Sequence, residues 1–89
     1  MTTRNDELIK IPNIGKTLAE KLKLVGIENA NQLINVGAEN AFIKLKTVDN
    51  DACINMLYAI EGAIQGIRWH DLDESKKEEL KVFFRMTNR

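Results

Sequence analysis

Between Ala52 and Ile67 the chain places apolar side chains around almost the whole of a helical wheel. Cys53, Met56, Leu57, Ile60, Ala63, Ile64 and Ile67 form a broad stripe, and Ala52, Ile54 and Ala59 widen it. A surface helix keeps one polar side; a helix apolar over most of its circumference must be surrounded by others. This segment, read as a helix from Asp51 to about Gln65, therefore requires a bundle in which it is central. Asp49 and Asn50 precede it as natural N-caps, since their side-chain oxygens accept free N–H groups. Gly62 and Gly66 lie in it at i, i+4, and each costs about 1 kcal/mol relative to Ala inside a helix. A neighbouring helix, the C-terminal one, is expected to cross there at close range.

The rest of the chain repeats helical spacing on a smaller scale, with one Pro and five Gly as punctuation. A short helix over Asn5–Lys10 is stopped by Pro12, which disfavours helical geometry at Ile11. The spacing of Leu18, Ala19, Leu22 and Val25 predicts a second helix, ended by Gly26 in a left-handed turn. A third covers about Asn29–Asn35. A fourth runs from Ala38 to about Lys46 with Ala41, Phe42 and Leu45 inward. A last amphipathic helix, Glu74–Met86, follows Asp71 and Asp73 and faces Leu80, Phe83 and Phe84 inward. With 89 residues, 44% of them hydrophobic, and a formal net charge of +0, the chain is expected to fold as one domain spanning 1–89 rather than stay disordered.

Composition removes several function classes. One Cys cannot form an internal disulfide, and one Cys with one His cannot build the usual zinc site. No nucleophile–base pair or metal cluster is visible, so no catalytic or metal-binding residues and no cofactor are expected, and the protein is read as a non-enzyme. The N-terminal stretch lacks the apolar core of a signal peptide, and no apolar run approaches a membrane span, so a soluble cytoplasmic protein with no membrane partner is expected. A pI of about 6.6 excludes polyanion binding by bulk charge. Charge is mildly uneven, however: the net is +2 over residues 1–24, −3 over 25–67 and +1 over 68–89. Nucleic-acid contact would have to come from a local patch.

Such a patch is suggested by an internal repeat. Asn13-Ile14-Gly15-Lys16-Thr17-Leu18-Ala19 and Asn35-Val36-Gly37-Ala38-Glu39-Asn40-Ala41 share the pattern Asn-apolar-Gly-x-x-x-Ala, 22 residues apart. A turn this tight is expected to place its Gly, Gly15 in the first copy, at positive φ, while the Ala lets two helices approach. The first copy, extended back to Ile11-Pro12, is similar to the DNA-binding helix–hairpin–helix consensus, apolar-Pro-Gly-apolar-Gly-x-x-x-Ala. Asn13 stands where that consensus has its first Gly, and brings a side chain near the place where phosphate would sit. The resemblance implies that free N–H groups of the hairpin and following helix meet a DNA phosphate, which the positive end of a helix dipole favours. The candidate nucleic-acid-binding residues are Asn13, Ile14, Gly15, Lys16 and Thr17, with Lys21 and Lys23 from the same helix. Glu39 would repel phosphate, so the second copy is expected to be structural.

Larger segments occur in a telling order: Asn13-Ile14-Gly15, Val25-Gly26-Ile27, Val36-Gly37-Ala38, Met56-Leu57-Tyr58-Ala59-Ile60-Glu61-Gly62-Ala63 and Trp69-His70-Asp71-Leu72. From about Leu8 to Leu80 the chain resembles the C-terminal domain of the TfoX family, bacterial proteins linked to regulation of natural competence. The resemblance implies an all-α fold of the helix–hairpin–helix or SAM-like type, and a bacterial cytoplasmic protein. The expected architecture is a small helical bundle with two helix–hairpin–helix-like units, a central apolar helix and a C-terminal amphipathic helix. The leading functional expectation is weak, sequence-independent contact with the backbone of duplex DNA. The alternative is a protein–protein interaction module, with a homodimer among its partners. Elsewhere, Cys53 is expected to be buried and inert, Tyr58 and Trp69 to be core, His70 to pack or cap at a helix entry, and Glu61 to be a buried partner of an Arg or a backbone N–H.

Overall fold

A computed structural model of the chain describes residues 8–87, so the Asn5–Glu7 part of the expected first helix lies outside the described residues. Five α-helices follow: α1 (Lys16–Leu24), α2 (Ala30–Val36), α3 (Ala38–Lys46), α4 (Ile54–Gln65) and α5 (Glu74–Thr87), with a 3₁₀ turn at Trp69–Asp71 before α5. There is no strand among the described residues. The all-α expectation holds, with helix ends close to those read from apolar spacing.

The apolar segment is central. α4 packs against α2, α3, α5 and the 3₁₀ turn, and only Asn55 and Gln65 along it are exposed. Leu57 and Ile60 join Phe42 and Leu45 of α3, Leu22 of α1, Leu33 of α2 and Leu80 of α5 in one apolar cluster. Phe42 meets Phe84 of α5 with ring centroids 5.8 Å apart. Each such side chain, fully buried, contributes roughly 1.5–3 kcal/mol relative to exposure, which is how a chain this short holds together.

Helix ends follow local chemistry. α1 closes in a Schellman motif: the Gly26 N–H donates to the Lys23 carbonyl at 3.1 Å and the Ile27 N–H to the Leu22 carbonyl at 2.9 Å. Gly26 has φ 87°, as expected of it. Buried Leu22 and Ile27 supply the apolar contact that accompanies such a stop. At α2, the Asn29 side chain accepts from the Gln32 N–H at 2.9 Å, an ordinary N-cap.

Several expectations are corrected. α4 begins at Ile54, not Asp51, and extended Cys53 is its N-cap and is exposed. Asp49 does not cap α4, because its carboxylate accepts from the Asp51 N–H at 3.0 Å and from Lys21 at 2.6 Å. Gly66 is not interior: at φ 76° it terminates α4 in a second Schellman motif, with the Ile67 N–H donating to the Gly62 carbonyl at 2.9 Å. Gly62 does mark a close approach, though to Asn13 and to the turn after α4 rather than to the C-terminal helix. A Cβ there would lie 2.6 Å from Asn13 Nδ2, 2.9 Å from the Ile67 carbonyl oxygen and 3.1 Å from Trp69 Cα.

A further correction concerns the repeat. Gly15 has φ −89° and ψ −180°, extended backbone open to any residue. The left-handed residue of the first copy is Asn13, at φ 71°. Pro12 at the second position and a positive φ at the third, closed by the Ile14 N–H to the Ile11 carbonyl at 3.3 Å, make a type II turn. In the second copy Gly37 itself is at positive φ, 85°, while Asn35 and Val36 still belong to α2. Ala19 and Ala41 are both fully buried, so that part of the shared pattern does the same work twice.

Candidate nucleic-acid interface

The hairpin's geometry is fixed by Asn13. Its side chain turns inward, not toward solvent. Nδ2 donates to the Ile67 carbonyl at 2.9 Å and the Ala59 carbonyl at 3.3 Å, and Oδ1 accepts from the Trp69 N–H at 3.1 Å. The notch left by Gly62 admits it. Asn13 is therefore a clamp between the type II turn and the end of α4, and its side chain does not occupy the space in front of α1. The only sequence sign of this role was an Asn at a position where the similar consensus has Gly. Ile14, next along, is 4% exposed and anchors the turn in the core. Neither residue offers a side chain to a ligand.

The outward part of the hairpin is Gly15, Lys16 and Thr17, all exposed. α1 has no side-chain cap, and its first backbone hydrogen bond runs from the Ala19 N–H to the Gly15 carbonyl at 2.9 Å. The N–H groups of Lys16, Thr17 and Leu18 are thus the orphan donors of a helix start, with a partial positive charge behind them. Among the described residues Lys16 is in no ion pair, and Lys10 is exposed at the entry of the same turn. Lys23 is also exposed, two turns along the same helix face, with exposed Glu20 between. Lys21 is different. Its ammonium is 2.6 Å from Asp49, joining α1 to the loop before α4. The Lys21 hydrogen bond, helped by the Asp51 N–H, holds the Asp49 carboxyl below the usual carboxylate range. Of the seven candidates, Gly15, Lys16, Thr17 and Lys23 face solvent together on α1, while Asn13, Ile14 and Lys21 hold the frame.

The second copy has the opposite electrostatics. α3 also starts without a side-chain cap, but its first turn borders a cleft of about 300 Å³ lined by Glu39, by Glu61 of α4, and by Lys76 and Glu79 of α5. Lys76 bonds Glu79 at 3.0 Å. That bond, against the opposing effect of desolvation and with help from the charges of Glu61, Glu79 and Glu39, raises the Lys76 pKa above its ordinary value. Three carboxylates around one ammonium repel a phosphate. Glu61 is half-buried and accepts from Gln65 at 2.6 Å, so its expected Arg or backbone partner is replaced by a side-chain amide.

The aromatic residues near the clamp are packing groups. Tyr58 is buried, half-buried Trp69 stacks on it at 5.9 Å between centroids, and exposed His70 stacks on Trp69 at 4.1 Å. Among the described residues no three His, Cys, Asp or Glu are grouped to hold a metal ion, and no helix is long and apolar enough to cross a membrane.

This fold is shared with solved proteins. An uncharacterized protein from Listeria monocytogenes, in a triclinic crystal form, superposes with a TM-score of 0.89 at 47% identity, covering 91% of this chain and 92% of that one. A tetragonal-form structure of a Listeria monocytogenes protein of unknown function gives 0.86 at 48% identity, covering 89% and 98%. Among curated proteins, the DNA transformation protein TfoX1 of Aliivibrio fischeri is 30% identical over 77 residues. That match takes in 85% of this chain and 37% of the relative, so the chain spans little more than a third of that protein's length. The sequence profile of the TfoX C-terminal domain matches residues 4–84, and the chain belongs to that family.

Proposed function

We propose that this domain binds the phosphate backbone of duplex DNA, weakly and without reading sequence, in a competence-related regulatory setting in the bacterial cytoplasm. In this reading Ile11–Ala19 acts as a helix–hairpin–helix unit, and the second copy is structural. One observation carries the proposal: the uncapped, exposed start of α1, where three orphan N–H groups stand beside exposed Lys16. The inward turn of Asn13 supports it by leaving that end open. The printed name of the TfoX1 relative, a DNA transformation protein, agrees with a nucleic-acid partner. Exposed Glu20 stands between Lys16 and Lys23, so the contact is small.

Two or three phosphate contacts give a salt slope of roughly −2 to −3 on duplex DNA and an affinity near ~10⁻⁴ M. Titration of a labelled duplex at low salt tests this. Gly15→Asp places a carboxylate over the orphan amides; it is expected to abolish binding while leaving the fold intact, because Gly15 is extended with nothing within 4 Å of its Cβ position. Lys16→Glu is expected to act similarly, and Lys44→Glu, on α3, to change little. Equal loss in all three variants, or no binding at millimolar protein, would remove the DNA reading. A protein–protein interaction module, the second reading, is favoured by one observation: large apolar side chains left exposed on α5.

A further inference from the structure

α5 buries one side and carries an apolar ridge on the other. Leu80 is 1% exposed, whereas Val82 is 48% and Met86 61% exposed. At 3.6 residues per turn Val82 points roughly 160° away from Leu80, and Met86 follows it one turn on. Single exposed apolar residues are ordinary on any surface. Among the described residues, these are the two large exposed ones that share an i, i+4 row on one helix.

The charges beside the ridge have a pattern. Glu78 lies one turn before Val82 and Arg85 just under one turn after it, roughly 40° and 60° to the same side of the row. Both are exposed, and neither is in an ion pair among the described residues. Glu79, on the other side, is occupied by Lys76.

A two-fold axis through Val82, perpendicular to the helix and in the plane of contact, sets two α5 helices antiparallel and keeps each side of the row on its own side. Val82 then meets Val82 of the second copy. Glu78 meets Arg85 of the second copy, and Arg85 meets its Glu78. Met86 covers the aliphatic stem of Glu79 of the second copy. Parallel pairing would instead set Glu78 against Glu78. The ridge is thus self-complementary in apolar contact and charge for one arrangement of an isologous pair. We propose that the outer face of α5 is a homodimer contact, with Val82 at its centre and reciprocal Glu78–Arg85 pairs at its edges. The proposal goes beyond the DNA reading and uses none of the hairpin residues.

A contact of one helix pair buries less than the ~1,200 Å² of stable complexes, so dimerisation should be weak, with Kd about 0.1–1 mM. Sedimentation equilibrium on the full chain up to about 2 mM reads it. Glu78→Arg and Arg85→Glu should each raise Kd about tenfold or more, by setting like charges opposite one another. The double variant Glu78→Arg/Arg85→Glu should return Kd to within about threefold of wild type, which a merely structural role for either residue would not produce. Val82→Asp should abolish the dimer, with unchanged helical circular dichroism showing that the exposed substitution leaves the fold intact. A wild-type chain monomeric throughout, single swaps without effect, or a double swap no better than the singles would overturn the proposal and leave the ridge to a different protein.

Discussion

The hairpin at Ile11–Ala19 and the turn at Asn35–Ala41 carry the same letters at three positions and place them differently. In the first, Asn13 is left-handed and Gly15 extended; in the second, Asn35 is helical and Gly37 is the residue at positive φ, 85°. Pro12 makes the difference. It stops the preceding helical segment and presets the second position of a turn, so the positive φ falls on the next residue. Without a Pro, α2 runs on through Val36 and the chain turns only where Gly permits. One copy then exposes an uncapped helix start beside a lysine, and the other opens onto carboxylates. Similar spacing kept the burial of Ala19 and Ala41, not the chemistry of the turn.

The largest effect should come from the clamp. Asn13→Ala removes three hydrogen bonds, leaves the Trp69 N–H and Ile67 carbonyl unpaired, and keeps a left-handed φ that Ala tolerates poorly. Urea denaturation should show a loss of about 2–4 kcal/mol. Asn35→Ala, on exposed α2, should stay within about 0.5 kcal/mol. Comparable losses in both would mean the two copies are more alike than the geometry says.

Next in size is Gly62→Ala, at about 1–3 kcal/mol, because its Cβ would press on the Ile67 backbone oxygen as well as on Asn13. In an Asn13→Gly background the added cost should shrink without vanishing, since the backbone contact persists. Full additivity of the two substitutions in a thermal melt would break the link between notch and clamp.

The glycines themselves sharpen the comparison. Gly37, at φ 85° and ψ 157°, occupies backbone space nearly reserved for Gly, so Gly37→Ala should cost about 1–3 kcal/mol. Gly15→Ala should be close to neutral, within about 0.5 kcal/mol, since its extended backbone and open surroundings suit Ala. A reversed order of the two melting temperatures would return the strained position to Gly15.

The smallest effect is acid dependence at the back of α1. The folded-state pKa of Asp49 is depressed below its unfolded value of 3.8, chiefly by Lys21. Its contribution is therefore present above about that pH and is lost as pH falls through the folded value. Stability measured from pH 6 down to pH 2 should fall less steeply below 4 in Lys21→Met than in wild type. Identical slopes would show that the pair adds nothing measurable, as is common for exposed ion pairs.

The sequence by itself determined the helices, their order and the central place of α4, because apolar periodicity is a local signal that burial merely obeys. It also determined the stop at Gly26 and the electrostatic contrast between Lys16 and Glu39. Only the tertiary structure decided which residue of each turn is left-handed, that Asn13 points inward, that Lys21 is engaged by Asp49, and that Cys53 is exposed. The partners that settle those roles lie 28 residues away for Lys21 and 46 to 56 away for Asn13. A side chain's direction is set by whichever hydrogen bonds and cavities the packed chain brings to it, and spacing along the sequence carries no record of them.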